Sequence, residues 1–296
     1  MFIDKRRTHL FGAVLALLAL SSSFGASAAS TVVNREFASP ALKRTWTYVV
    51  YSPANYEPTK LRYPVLYLLH GNGQKGSDWV TSGKIQTTAD ALIANREIPP
   101  VIIVMPDAGT TWFVDRKEQM ESAFIQDLIP EIEKNFSAIA SREGRLVGGL
   151  SMGGYGSTRF ALKYPEKFIA AALLSPAIYD PEPPSTSGAR RVGVFGAPAY
   201  DTEIWKSLNY PSLWPSYLAK KMPVAMYIVS GDDDDFFIES DATNFYSLLR
   251  KNQQPAELRI VNGAHVWPVW ESTIGDALKY VFKYAAQPTP LEANQR

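Results

Sequence analysis

The chain has 296 residues, 46% of them hydrophobic and 20% charged, with a formal net charge of +1. This is enough apolar material for one large domain or two ordinary ones, and too much for a disordered chain. The near-neutral balance offers no long-range field to nucleic acid or an anionic membrane, and the absence of cysteine removes disulfides, thiolate metal sites and cysteine nucleophiles.

The first residues, MFIDKRRTHL, are basic. An uncharged run, LFGAVLALLAL, follows, and then the small residues SSSFGASAAS. This order predicts a signal peptide over residues 1–28, cleaved after Ala28. The apolar run is short for a bilayer span. The mature chain, residues 29–296, is then expected in the periplasm or outside the cell.

Residues 45–53 alternate and are rich in β-formers, which predicts a strand. Residues 63–71, YPVLYLLHG, form a continuous apolar run closed by glycine, as in a strand buried on both faces. Residues 101–107, 145–149, 168–176, 224–231 and 256–263 repeat this form. Helical spacing lies between them. Over residues 121–136 it places Phe124, Ile125, Leu128, Ile132 and Phe136 on one stripe. Residues 155–165, 240–252 and 267–286 read as further helices. Residues 179–222, with many prolines and aromatics, break the rhythm and read as an insertion that forms a partial lid. Residues 287–296 read as a frayed tail. Repeated strand–loop–helix units predict a single α/β domain, with a mainly parallel sheet and helices on both faces. The loops after the strands then meet at one edge, where chemistry is expected.

Gly149-Leu150-Ser151-Met152-Gly153 is a G-x-S-x-G motif between a predicted strand and a predicted helix. That context makes Ser151 a candidate nucleophile, raised on a sharp turn above a helix N-terminus. A serine hydroxyl needs a base. The chain has three histidines, His9, His70 and His265. His9 lies in the signal segment, and only His265 follows Ser151, as the chain order nucleophile–acid–histidine requires. His70 opens His70-Gly71-Asn72-Gly73, a glycine-rich loop on the same edge. The backbone N–H groups of Asn72 and Met152 are the expected oxyanion donors.

The acid must lie between Ser151 and His265. The run SGDDDDFFIES, residues 230–240, follows a predicted strand and meets that demand. A calcium loop beginning at Asp232 would need glycine at its sixth position and glutamate at its twelfth, where Phe237 and Thr243 stand. One carboxylate is therefore expected to turn inward and the others to face water. Spacing alone admits Asp233, Asp234 or Asp235.

YLLHGNG with Trp79 downstream, VMPD, VGGLSMGGYGS, SGDDDDFF and GAHVWPVW, in this order, resemble the esterase D-like family of α/β-hydrolases. That family includes S-formylglutathione hydrolases, feruloyl and acetyl-xylan esterases and mycolyltransferases. The resemblance implies the α/β-hydrolase fold, with Ser151 as nucleophile, His265 as base, and Asn72 and Met152 as oxyanion donors. The family's G-x-x-D-x-F turn falls on Gly231, Asp234 and Phe236, which selects Asp234 as the acid. It implies no cofactor and no metal. The partner is a small-molecule or glycan-linked ester, with no nucleic acid and no membrane span after signal cleavage. The export signal argues against a cytosolic thiol-ester substrate. The function so read is an exported serine carboxylic-ester hydrolase. An acyltransferase using the same three residues, or a non-catalytic binding protein on this fold, is the alternative. Trp79, Trp112, Trp205, Trp214 and Trp267 are candidates for either core or pocket.

Overall fold

A computed structural model describes Met1 and residues 28–291. The predicted signal segment, apart from its two ends, and the tail from residue 292 lie outside the described residues. The strands are β1 (Thr31–Ser39), β2 (Arg44–Ser52), β3 (Leu61–Arg62), β4 (Val65–Leu69), β5 (Ile102–Pro106), β6 (Arg145–Leu150), β7 (Ala170–Leu174), β8 (Ala225–Gly231), β9 (Ala256–Val261) and β10 (Thr289–Pro290). The helices are α1 (Asp78–Thr81), α2 (Ile85–Ala94), α3 (Met120–Ala123), α4 (Ile129–Asn135), α5 (Met152–Lys163), α6 (Thr202–Leu208), α7 (Tyr210–Lys220), α8 (Ile238–Lys251) and α9 (Trp267–Val281).

The main sheet has the order β1-β2-β5-β4-β6-β7-β8-β9. β1 and β2 are antiparallel, as are β2 and β5, and every later pairing is parallel. This is the expected mainly parallel α/β sheet. Its central strands are buried on both faces, so their sequences are apolar without alternation. Alternate residues still face opposite ways: Val65, Tyr67 and Leu69 pack with α3, α4, α5 and α8, while Leu66 and Leu68 pack with α2 and α9. β1 was not expected. It pairs along its whole length with β2 at the sheet edge, where the exposed polar side chains of its NRE centre are tolerated.

The helix expected over residues 121–136 forms in three parts. α3 and α4 are joined by a wider π turn, Phe124–Leu128. Pro130 stands in the first turn of α4. In a regular helix its ring would press on the carbonyl of residue 126, and the wider turn relieves that contact. Fraying is expected over residues 287–296, but within the described part there is pairing. Thr289–Pro290 pairs antiparallel with Leu61–Arg62, and the Leu291 N–H donates to the Lys60 carbonyl at 2.8 Å. The proline occupies a two-stranded edge that does not need its missing N–H.

Beneath the active edge, α5 is tied down by a buried charge. Glu121 is 1% exposed and accepts from Arg159 Nε and the Tyr164 hydroxyl, both at 2.6 Å, and from Lys163 Nζ. Burial alone would raise this carboxyl, but Arg159 and the hydrogen bonds from Lys163, Tyr164 and Arg159 hold it below the ordinary glutamate value. A carboxyl held low in the folded chain adds stability that is present above the unfolded value and lost as pH falls through the folded one. Glu121→Gln leaves Arg159 buried beside a neutral partner. It is expected to cost about 3–5 kcal/mol at neutral pH and to flatten the acid limb of the stability profile. Urea midpoints measured from neutral to acid pH check both effects.

Candidate active site

Ser151 ends β6 and opens α5 with φ 52° and ψ −117°. An L residue stays in that region only when its surroundings hold it there. Here its N–H donates to the Leu174 carbonyl at 3.0 Å, and its carbonyl accepts from the N–H groups of Tyr155 at 2.9 Å and Ala177 at 3.1 Å. The motif glycines provide the room. A Cβ on Gly149 would stand 2.6 Å from the Leu69 carbonyl oxygen, and one on Gly153 would stand 2.3 Å from it. The turn therefore packs backbone to backbone against the end of β4.

The structure brings Ser151, His265 and Asp234 together from three separate loops. His265 Nδ1 lies 2.7 Å from Asp234 Oδ2, and His265 Nε2 lies 2.9 Å from Ser151 Oγ. A carboxylate can only accept, so Nδ1–H donates to Asp234 and the Nε2 lone pair faces the serine hydroxyl. The Ser151 O–H then donates to Nε2. The side chain of Asp234 is fully buried and that of His265 nearly so. The imidazole is held edge-on between two rings, Phe236 at 4.9 Å and Trp270 at 5.0 Å. Trp270 is itself fixed by an indole N–H bond to Ser175 Oγ at 3.1 Å.

Asp233 and Asp235 are exposed, as expected, and Asp234 turns inward. The second oxygen of Asp234 accepts from the Phe236 N–H at 3.0 Å. Asp232 corrects the expectation that all the others serve only as solvated charge. Its carboxylate accepts from the Gly263 N–H at 2.9 Å, while the N–H groups of Asp232 and Asp233 donate to the carbonyls of Val261 and Gly263 at 2.8 and 3.0 Å. It latches the acid loop to the histidine loop. Gly231 makes the approach feasible, because a Cβ there would stand 1.9 Å from the Gly263 carbonyl oxygen.

His70 is fully buried, and burial pushes its imidazole pKa down. Its Nε2 accepts from the Ala108 N–H at 2.8 Å, so Nδ1–H donates to the Gly71 carbonyl at 2.7 Å. A neutral ring thus fixes the loop that carries Asn72. The Asn72 side chain accepts from Trp112 Nε1–H at 3.2 Å. Asn72 lines the same cavity as Ser151, and Met152 is the first residue of α5, directly after the serine.

That cavity holds about 550 Å³. Its lining includes Phe236, Trp267 and Trp270 from the loops after β8 and β9 and the start of α9, with Trp112, Tyr179, Gly188 and Arg191. Tyr179, Gly188 and Arg191 come from the insertion, and nothing in their local sequence marked them as pocket residues. Of the five tryptophans singled out from the sequence, Trp112 and Trp267 reach the cavity, whereas Trp79, Trp205 and Trp214 serve packing. A larger cleft of about 680 Å³ lies against β1 and β2 near Arg35, Lys75 and Asp107. Its lining includes the Thr47 hydroxyl on the Asp107 carboxylate at 2.8 Å but no histidine, so the smaller cavity, with Ser151 and His265, is the candidate site.

Residues 39–281 match the model of the family described as "Putative esterase", and the chain belongs to that family. It is similar to an endo-1,4-beta-xylanase/feruloyl esterase of Xylanibacter ruminicola, with 38% identity over 49% of this chain and 22% of that protein. It is also similar to Esterase Rv1288 of Mycobacterium tuberculosis, with 29% identity over 73% of this chain and 51% of that protein. The chain thus spans about half or less of these relatives. Among solved structures, a ferulic acid esterase aligns at 27% identity with a TM-score of 0.71, covering 86% of this chain and 99% of its own.

Gly231→Ala must separate the acid and histidine loops. Overpacking of this kind costs about 1–3 kcal/mol, and a few degrees of Tm per kcal/mol for a chain of this size. The expected result is a lowered Tm together with loss or broadening of the downfield proton resonance of His265 Nδ1–H. Calorimetry and proton NMR measure the two separately.

Proposed function

We propose that the chain is an exported carboxylic-ester hydrolase that works through an acyl-enzyme on Ser151. The observation that carries this reading is the continuous hydrogen-bond line from Ser151 Oγ to His265 at 2.9 Å and on to Asp234 at 2.7 Å. As the serine oxygen attacks the ester carbonyl, its proton passes to His265 Nε2. Asp234 keeps the tautomer and stabilises the imidazolium. The developing oxyanion takes the N–H groups of Asn72 and Met152, assisted by the N-terminus of α5. His265 returns the proton to the leaving alcohol. Water activated by the same histidine then releases the acid.

We read hydrolysis rather than transfer to an alcohol because residues at the cavity mouth are exposed. Val266, beside the base, is 42% exposed, and Asn72 is exposed as well. Water therefore reaches the acyl-enzyme, which a transferase must prevent. An aromatic acyl group fits the reading best. Its support is the wall of Phe236, Trp267 and Trp270 together with the feruloyl names of two of the proteins the chain resembles. Export rests on the basic, apolar and small-residue order of residues 1–28. Among the described residues no helix is long and apolar enough to cross a membrane.

Ser151→Ala is expected to abolish ester turnover with the circular dichroism spectrum retained. Asp234→Asn is expected to lower kcat about 10⁴-fold by stabilising the wrong tautomer. Asp233→Asn and Asp235→Asn should each change it only a few-fold, since both side chains face water. Steady-state kinetics on one activated ester ranks all four variants, and surviving turnover in Ser151→Ala would reject the mechanism. On a substrate panel, methyl ferulate should exceed a matched acetyl ester in kcat/KM by at least the roughly tenfold that one aromatic contact of about 1.5 kcal/mol gives.

A further inference from the structure

The insertion carries two adjacent arginines with different surroundings. Arg190 is neutralised inside its own loop. It pairs with Glu182 at 2.6 Å, donates Nε–H to the Pro183 carbonyl at 2.6 Å, and lies 4.4 Å from the centre of the Tyr200 ring. Glu182 also accepts from the Thr202 hydroxyl at 2.9 Å. These contacts close the loop on itself and set the position of the next residue.

Arg191 is exposed and lines the cavity over Ser151. Its guanidinium donates to the Thr186 carbonyl. Among the described residues no carboxylate lies within ion-pair distance of it, and no aspartate or glutamate lines this cavity. Arg191 is thus the one permanently charged side chain in the cavity wall. Its turn is packed tightly on the oxyanion loop, because a Cβ on Gly188 would stand 2.7 Å from Asn72 Nδ2. A guanidinium keeps its charge at any working pH, and its planar fork of donors matches a carboxylate. The pocket therefore combines several aromatic rings with one cation that has no carboxylate partner.

We propose that Arg191 is a specificity-determining residue and that the preferred substrate is an ester carrying a carboxylate on its alcohol portion. This rests on the hydrolase reading above, in which the aromatic wall takes the acyl group. The anion then belongs to the other half of the substrate, such as an acidic sugar or a hydroxy acid.

The test uses two matched substrates, the feruloyl ester of glycolic acid and that of glycolamide, at low ionic strength. They differ in charge but hardly in shape. The wild-type enzyme should favour the carboxylate by roughly fivefold in kcat/KM, the upper range of an exposed ion pair. The difference should lie in KM rather than kcat, because the pair forms equally in ground and transition states. It should shrink with added salt. Arg191→Gln should remove the preference, Arg191→Glu should reverse it, and Arg191→Lys should keep part of it. An equal ratio in the wild type, or a ratio unaltered in Arg191→Gln, overturns the inference while leaving the hydrolase reading intact. Hydrolysis of both esters by Ser151→Ala would instead overturn the reading beneath it.

Discussion

The site depends on one close approach, the β6–α5 turn pressed against the end of β4. Ser151 is held at φ 52°, where an ordinary residue loses about 1–3 kcal/mol. Three backbone hydrogen bonds and the absence of side chains at Gly149 and Gly153 offset that cost. The reward is direction. A relaxed turn would carry the serine side chain along the helix, whereas this one stands it at the helix N-terminus within reach of the loops after β8 and β9. The burial of β4 and β6 on both faces makes the platform stiff, so the serine is aimed by the sheet and not by its own rotamer alone.

A second close approach joins the acid to the base. Gly231 and Gly263 meet with less than a methyl group of space between them, and Asp232 spends its carboxylate on the Gly263 N–H. This gives the acidic run a physical sense. Successive side chains in a tight turn diverge, so one carboxylate can latch the neighbouring loop while the one two places later reaches the imidazole. The two between and after them remain in water, where their mutual repulsion is screened. The run is therefore two functional carboxylates interleaved with two solvated ones, and no common focus for a cation arises from it.

Much of this was readable in the sequence, for reasons that differ by residue. The strands from β4 to β8 are buried on both faces, which writes unbroken apolar runs. β1 escaped because an edge strand needs no such run, and α2 escaped although Ile85, Ala89 and Leu92 keep helical spacing. Ser151 and His265 were legible because chain order and the scarcity of histidine leave few choices. Asp234 needed the family resemblance, since Asp233 and Asp235 satisfy the same order. Asp232, Tyr179 and Arg191 left no local signal. Their roles follow from contacts with residues 31, 26 and 5 positions away or from the shape of a cavity, and neither is a property of a short stretch of chain.

The insertion supplies part of the cavity over Ser151. Its helical half is tied both to its own start and to α5. Trp205 Nε1–H and Asn209 Nδ2–H both donate to the Tyr179 carbonyl, at 3.2 and 2.6 Å, within the insertion. The Leu208 carbonyl accepts from the Tyr155 hydroxyl and from Arg159 Nη1–H, each at 2.8 Å. Trp205 stacks on Tyr155 at 5.5 Å, within one aromatic cluster with Trp112 and Phe195. Moving the helical half away from α5 would break the two bonds to the Leu208 carbonyl and part those rings. That movement would also disturb α5, the helix that Ser151 caps. The contacts that hold α5 therefore also fix the insertion that lines the cavity. The residues available for selectivity around Ser151 are the rings of Trp112, Tyr179, Phe236, Trp267 and Trp270 and the cation of Arg191.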